Sequence, residues 1–158
     1  MRLFFIFNFL VFSIHTSFAQ TQSYDVAAYQ FHQSISEAQQ NIGKELFYFN
    51  ERADEQNLKI MKFEINRSIA FIDSLKVYNK ENAYYDATKK LFALYKDIAE
   101  HEYTDLLKLI EDPELEAKDF AAKKKVIFAS IKTKSQVVYP DFLAAQAAFC
   151  KKYGIKLE

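Results

Sequence analysis

One short stretch of the sequence, DIAEHEYTD, places an imidazole among carboxylates. Asp97, His101 and Asp105 are four residues apart, so a helix would put the three side chains on one face, with Glu100 and Glu102 beside them. Imidazole nitrogens and carboxylate oxygens are common ligands of zinc. Asp97, His101 and Asp105 are therefore the candidate metal ligands of this chain.

A single helix cannot enclose a metal ion, because the remaining ligands must come from elsewhere in the fold. Helical metal centres of the ferritin type use Glu-x-x-His from two helices. This sequence has Ile98 three residues before His101 and Tyr29 three residues before His32, so that motif is absent. We therefore assign no metal site and interpret His101 as a histidine at the edge of a helical core, paired with a neighbouring carboxylate.

A haem- or metal-binding protein is the alternative function. It would use His101 with Asp97 and a further ligand from another helix, either Met61 or His32. The sequence lacks Gly-x-Ser-x-Gly, His-Glu-x-x-His and a glycine-rich phosphate loop. We therefore expect neither an enzyme nor a resident cofactor. Catalysis by scattered carboxylates would require Asp97, Glu100 or Glu102 to face a cleft.

The elements that position these residues follow from hydrophobic spacing. Apolar residues recur every three or four positions in four successive stretches, which is typical of amphipathic helices. Two glycines and two prolines are few for a sheet protein, which needs many turns. We therefore predict an all-α protein, an antiparallel four-helix bundle with up-down-up-down order and helices at about 24–53, 57–78, 83–111 and 117–153.

The joints between these helices differ in how clearly the sequence marks them. Asp112 and Pro113 suit the start of a helix, so the third joint is well marked. The first joint, at 54–57, is weakly marked, and helices one and two could form one continuous rod. Pro140 lies inside the fourth helical pattern and should kink that helix or divide it in two.

The N-terminal residues have the layout of a secretory signal peptide. Arg2 precedes an apolar run, and Ser17 and Ala19 occupy the positions of small residues before a cleavage site. We predict removal of 1–19 and export of a single domain, 20–158, to the periplasm or cell surface. Retention of the apolar run as an anchor is the alternative, although the run is short for a membrane span. No cysteine is present at the cut to accept a lipid.

Charge and cysteine content limit the classes of partner. Without Arg2 the chain has 20 basic and 21 acidic residues, a balance that does not favour nucleic acid. We interpret the basic run Lys123–Lys125 as solvated surface. Cys150 is the sole cysteine, so no internal disulfide can form. It is expected to be a buried inert thiol, and an intermolecular disulfide through Cys150 is the alternative.

The C-terminal half has an aromatic motif and a characteristic ending. Over roughly 84–158, the runs YYDATKKLFALYKDIAEHEYTDLLKLI and FLAAQAAFCKKYGIKLE resemble a family of small exported bacterial helical proteins described as surface proteins of unknown function. Some members of that family have a cysteine at the cleavage point, and this chain does not. The resemblance implies an exported helical bundle and assigns no functional residue. The matching positions are Leu91, Phe92, Tyr95, Lys96, Glu102, Tyr103, Gln146, Ala148, Phe149, Lys152, Tyr153 and Ile155.

Taken together, these patterns predict an exported, non-enzymatic four-helix bundle. We expect it to act by contact with another protein or with a component of the cell envelope, without nucleic acid and without a membrane span once the signal peptide has been cleaved.

Overall fold

The computed structural model describes residues 25–80 and 82–157, and 86% of these residues are helical, with no strand among them. The all-α prediction is therefore confirmed for this part of the chain. The helices are α1 (Val26–Glu51), α2 (Glu55–Ser74), α3 (Asn82–Glu100), α4 (Glu102–Glu111) and α5 (Ala117–Lys152), with a short 3-10 turn at Tyr78–Lys80. The predicted signal peptide, 1–19, lies outside the described residues.

The helix boundaries follow from capping side chains. Asp25 accepts a hydrogen bond of 3.0 Å from the backbone N–H of Ala28, and Asp54 accepts one of 2.8 Å from Asn57. Each carboxylate thereby satisfies an N–H group that the first helical turn leaves without a partner. The second cap separates α1 from α2, so the two do not form one rod. At the end of α5, Gly154 has a positive φ of 67°, a conformation that suits glycine after a helix.

Two predicted elements differ from the structure. The predicted third helix, 83–111, is interrupted at His101 and forms α3 and α4. The predicted second helix ends at Ser74 instead of 78, and the chain then turns through Asn79 and Lys80, both of which have positive φ. Pro140 is exposed and lies within α5 without dividing it.

The helices share one hydrophobic core. Helix α1 packs against α2, α2 against α3, and α5 against both α3 and α4. Within the described residues, no helix is long and apolar enough to cross a membrane. The largest fully buried side chains of the core are Tyr84, Phe49, Phe92, Phe142, Ile35, Ile42, Met61, Ile65, Ile72 and Leu91.

Candidate functional site

The interruption between α3 and α4 brings charged side chains together. Lys134 of α5 lies between two carboxylates: its Nζ is 2.5 Å from Oδ2 of Asp97 and 2.7 Å from Oε1 of Glu102. The hydroxyl of Ser130, one turn earlier on α5, donates a 2.7 Å hydrogen bond to the same Oε1. We call Asp97, Glu102, Ser130 and Lys134 the Lys134 cluster. It joins α5 to both sides of the helix interruption.

The backbone at the interruption is held by side-chain and main-chain hydrogen bonds. His101 has φ −112° and ψ −77°, so its backbone departs from regular helical geometry where α3 meets α4. The Thr104 hydroxyl donates a 3.0 Å bond to the carbonyl of Ala99, and the Asp105 N–H donates a 2.8 Å bond to the carbonyl of His101. Glu102 becomes the first residue of α4, where a carboxylate is favoured by the unpaired N–H groups and the helix dipole.

The Lys134 cluster is an ionised assembly. Burial of the Glu102 carboxyl raises its pKa, but hydrogen bonds from Lys134 and Ser130 more than offset this, and the pKa lies below the usual 4.5. The hydrogen bond from Lys134 is the main cause of the lowered pKa of Asp97. The two carboxylates in turn raise the pKa of Lys134. Lys134 is therefore a fixed cation and is poorly suited to act as a base at neutral pH.

One atom of the cluster has no partner among the described residues. Oε2 of Glu102 is buried and makes no hydrogen bond there, although Oε1 of the same carboxylate accepts two. A buried carboxylate oxygen without a donor is costly, so the two bonds to Oε1 must offset the desolvation of the whole carboxylate. The arrangement can hold a charge pair in place, and Lys134 occupies the position that a bound cation would take.

The three candidate metal ligands are only partly brought together. Nδ1 of His101 is 3.1 Å from Oδ1 of Asp97, so these two side chains are paired on the surface, and 65% of the His101 side chain is exposed. Asp105 instead pairs with Lys108 at 2.9 Å. Within 25–80 and 82–157, no group of three or more histidine, cysteine or acidic side chains is placed to hold a metal ion.

The further ligands considered for haem or metal lie apart from His101. Nδ1 of His32 is 3.0 Å from the hydroxyl of Tyr84, near the start of α3, and burial lowers the pKa of His32. His101 follows the last residue of α3, about 25 Å further along the helix at 1.5 Å per residue. His32 and His101 therefore cannot bind one ion in this conformation. Met61 is fully buried, whereas His101 faces solvent.

Cys150 is buried in the core. It is 1% exposed, and burial raises the pKa of its thiol to about 11. A second molecule cannot reach this sulfur unless α5 moves away from its neighbours, so an intermolecular disulfide does not fit the structure. The prediction that Cys150 is buried is confirmed.

The opposite end of the fold has an aromatic cluster that the sequence did not reveal. Phe31, Tyr84 and Phe149 pack with ring centroids 5.2 to 6.2 Å apart. Beside them the Tyr78 hydroxyl donates a 2.5 Å hydrogen bond to Asp25, and that bond raises the pKa of Tyr78 to about 12. This cluster joins the starts of α1 and α3 to the end of α5 and to the turn that follows α2.

A shallow hollow lies between α2 and α3. It measures about 120 Å³, which is small beside the usual 300–1,000 Å³ of small-molecule sites. The salt bridge between Lys89 and Asp73 lies at its edge. Its lining consists of Ile69, Ile72, Asp73, Lys89, Phe92 and Ala93.

Large apolar side chains are exposed on the first two helices. Phe47 is 59% exposed, Phe63 is 67% exposed, and Tyr48, Ile60 and Phe71 are also exposed. We call these five residues the α1–α2 aromatic face. Ile60, Phe63 and Phe71 lie on one side of α2 because they are separated by three and eight residues.

Comparisons of the chain with protein-family models, with curated proteins and with solved structures gave no match.

Proposed function

We propose that this chain is an exported, non-enzymatic helical protein of the cell envelope that works by contact with another macromolecule. The α1–α2 aromatic face is the observation that carries the proposal. Ile60, Phe63 and Phe71 share one side of α2, and exposed apolar groups grouped in this way commonly mark an interaction surface, in which phenylalanine and tyrosine are enriched. Arg67 lies between Phe63 and Phe71 along α2 and is paired with Glu64 at 2.8 Å. A polar group beside exposed aromatics is typical of a protein interface.

A photoreactive phenylalanine at position 63 tests this proposal. Introduced in place of Phe63 and activated in cells that produce the protein natively, it should give a discrete cross-linked product. The matched control is the same amino acid at Lys90, an exposed position of α3. Phe71→Ser should reduce the yield at position 63, because it removes part of the same face, whereas Val137→Ser on α5 should not. Equal cross-linking from positions 63 and 90 would contradict a specific contact.

Export is a second part of the proposal, and it has its own measurement. Cleavage after Ala19 would give a mature protein that begins at Gln20, and mass spectrometry of the protein from cell fractions would show this N-terminus. Ala19→Arg should block cleavage and cause the longer precursor to accumulate, because signal peptidases require a small residue there. Gln22→Arg, beyond the cut, is the control. A full-length protein found in the cytoplasm would contradict export.

The proposed arrangement of the helices is an antiparallel bundle in up-down-up-down order, with α3 and α4 as the third rod and a kink at Pro140. Contacts at one end support it. Asp25, before α1, donates a 3.4 Å backbone bond to the carbonyl of Tyr153, after α5, and also receives the bond from Tyr78, after α2. The start of α1 therefore meets the ends of α2 and α5, as such a bundle requires.

We also propose membership of the family of small exported surface proteins that the C-terminal half resembles. Several residues that carry the resemblance are buried in the core, among them Leu91, Phe92, Tyr103 and Phe149. Glu102, another of them, belongs to the Lys134 cluster. The residues that carry the resemblance would therefore determine core packing and the junction of α3 with α4. This is why the resemblance implies a fold and assigns no reaction.

A further inference from the structure

Charge is distributed unevenly along the chain. Helix α5 contains eight lysines and two aspartates, whereas residues 25–116 contain 11 basic and 18 acidic side chains. Helix α5 therefore has a net charge of +6 and residues 25–116 have a net charge of −7, although the whole chain is nearly neutral. A positive charge of this size gives α5 an electrostatic attraction for anions.

The solvent side of α5 has a regular row of lysines. Lys118, Lys125 and Lys132 are seven residues apart and all exposed. Seven residues make nearly two full turns, so the three ammonium groups lie along one line about 10 Å apart. None of the three has an ion-pair partner among the described residues, in contrast to Lys134, which points toward α3 and α4.

The basic run Lys123–Lys125 does not behave as one uniform solvated patch. Lys123 and Lys125 are exposed, as predicted. Lys124 is half-buried, and its Nζ lies 5.7 Å from the ring centroids of both Phe120 and Phe128. The inward side of α5 is therefore already occupied, and only its outward side is available to a partner.

Apolar side chains lie beside the lysine row. Val126 is 69% exposed and Val137 is 70% exposed, and the exposed Ala122 and Ala129 are on the same side of the helix. The first buried residue of α5 is Ile131, so its first fourteen residues have no fully buried side chain. Lysines beside a short strip of valine and alanine can contact lipid phosphates while the strip meets the headgroup layer.

We propose that the outward face of α5, with Lys118, Lys125, Lys132 and Val126 at its centre, binds the surface of an anionic phospholipid bilayer. The lysines supply attraction to the phosphates, and the valines enter the headgroup layer without spanning the bilayer. A soluble polyanion would use the lysines but would gain nothing from the exposed valines. The inference depends on the proposed export only for the protein's location, and it concerns a different surface from the α1–α2 aromatic face.

Vesicle sedimentation with purified protein, residues 20–158, tests the lysine row. Vesicles that contain about a third of phosphatidylglycerol should bind the protein, and vesicles of phosphatidylcholine alone should not. The triple variant Lys118→Gln/Lys125→Gln/Lys132→Gln should bind these vesicles roughly a hundredfold more weakly. Each lysine near such a surface raises the binding affinity about fivefold. Added salt should weaken binding of the unaltered protein.

The control variant is Lys59→Gln/Lys76→Gln/Lys90→Gln, which removes the same charge from exposed positions outside α5. It should retain binding within a few-fold. Equal losses in the two triple variants would overturn the proposal, because net charge alone would then explain binding. Failure of the unaltered protein to bind anionic vesicles would overturn it as well.

A tryptophan reporter tests the part assigned to Val126. The chain has no tryptophan, so Val126→Trp introduces a single tryptophan, which can be excited selectively in the presence of the tyrosines. Its emission should shift to the blue on anionic vesicles, whereas that of Phe63→Trp, on the α1–α2 aromatic face, should not. If the emission at position 126 does not shift, the assignment to lipid is overturned. Tighter binding to heparin or transfer RNA than to the vesicles would overturn it as well. These results do not depend on cross-linking at position 63, so either proposal can fail alone.

Discussion

Phe49→Ala is expected to lower the free energy of unfolding by about 3–5 kcal/mol, a large fraction of the total for a domain of this size. The Phe49 side chain is fully buried at the end of α1, and its ring packs edge-on against Tyr103 of α4 with centroids 5.2 Å apart. Truncation to alanine removes the buried ring and leaves a cavity that neighbouring helices can fill only in part. Urea denaturation followed by circular dichroism at 222 nm would measure the loss.

Phe47→Ala is the matched control, because it makes the same change two residues earlier in the same helix. Phe47 is mostly exposed, so its replacement should change stability by no more than about 0.5 kcal/mol. The same variant should lower the cross-linking yield at position 63 if the α1–α2 aromatic face binds a partner. Equal destabilisation by the two substitutions would mean that the side of α1 facing the core has been assigned incorrectly.

Lys134→Met is expected to lower the free energy of unfolding by about 1–2 kcal/mol. The substitution leaves the Glu102 carboxylate buried without its counter-ion, with only the Ser130 hydroxyl as a donor. A fully buried unpaired charge costs about 3–5 kcal/mol, and the smaller value applies here because a third of the Lys134 side chain is exposed. Urea denaturation at neutral pH would measure the effect, with Lys132→Met, two residues earlier and exposed, as the control.

A double-mutant cycle shows whether Glu102 is the partner responsible. In a Glu102→Gln background, Lys134→Met should cost clearly less, because no buried charge remains to be neutralised. The same cost in both backgrounds would assign the effect to Asp97. Since the pKa of Glu102 is lower in the folded protein than the usual 4.5, its ionised form stabilises the fold above that pH. This stabilisation should disappear as the pH falls below 4.5 toward the folded-state pKa, and the Lys134→Met variant should show a weaker pH dependence.

Hydrophobic spacing was sufficient to predict the helices, because the stripes of α1, α2 and α5 are long and regular. It could not predict the interruption at His101. Nothing in DIAEHEYTD marks a helix end, since that segment has no glycine or proline. The groups that accompany the interruption, Ser130 and Lys134, are about thirty residues away along the chain. Tertiary contacts of this kind leave no local pattern.

The same distinction between local and distant contacts explains which contacts of the candidate site could be predicted from the sequence. The pairing of Asp97 with His101 is a contact across one helical turn, and sequence spacing predicts such contacts well. Asp105 instead pairs with Lys108, three residues later on α4, a competing partner that the spacing argument did not consider. The separation of His32 from His101 depends on which part of α3 lies against α1, which one sequence does not show.

The burial of Cys150 has a consequence for the survival of a protein that we propose to be exported. Oxidising compartments convert exposed thiols to disulfides or to sulfenic acid, and both reactions begin from the thiolate. With a pKa of about 11, only about one Cys150 side chain in ten thousand is ionised at neutral pH, and the core excludes oxidants from it. A lone cysteine can therefore persist in its reduced form outside the cytoplasm without any partner sulfur.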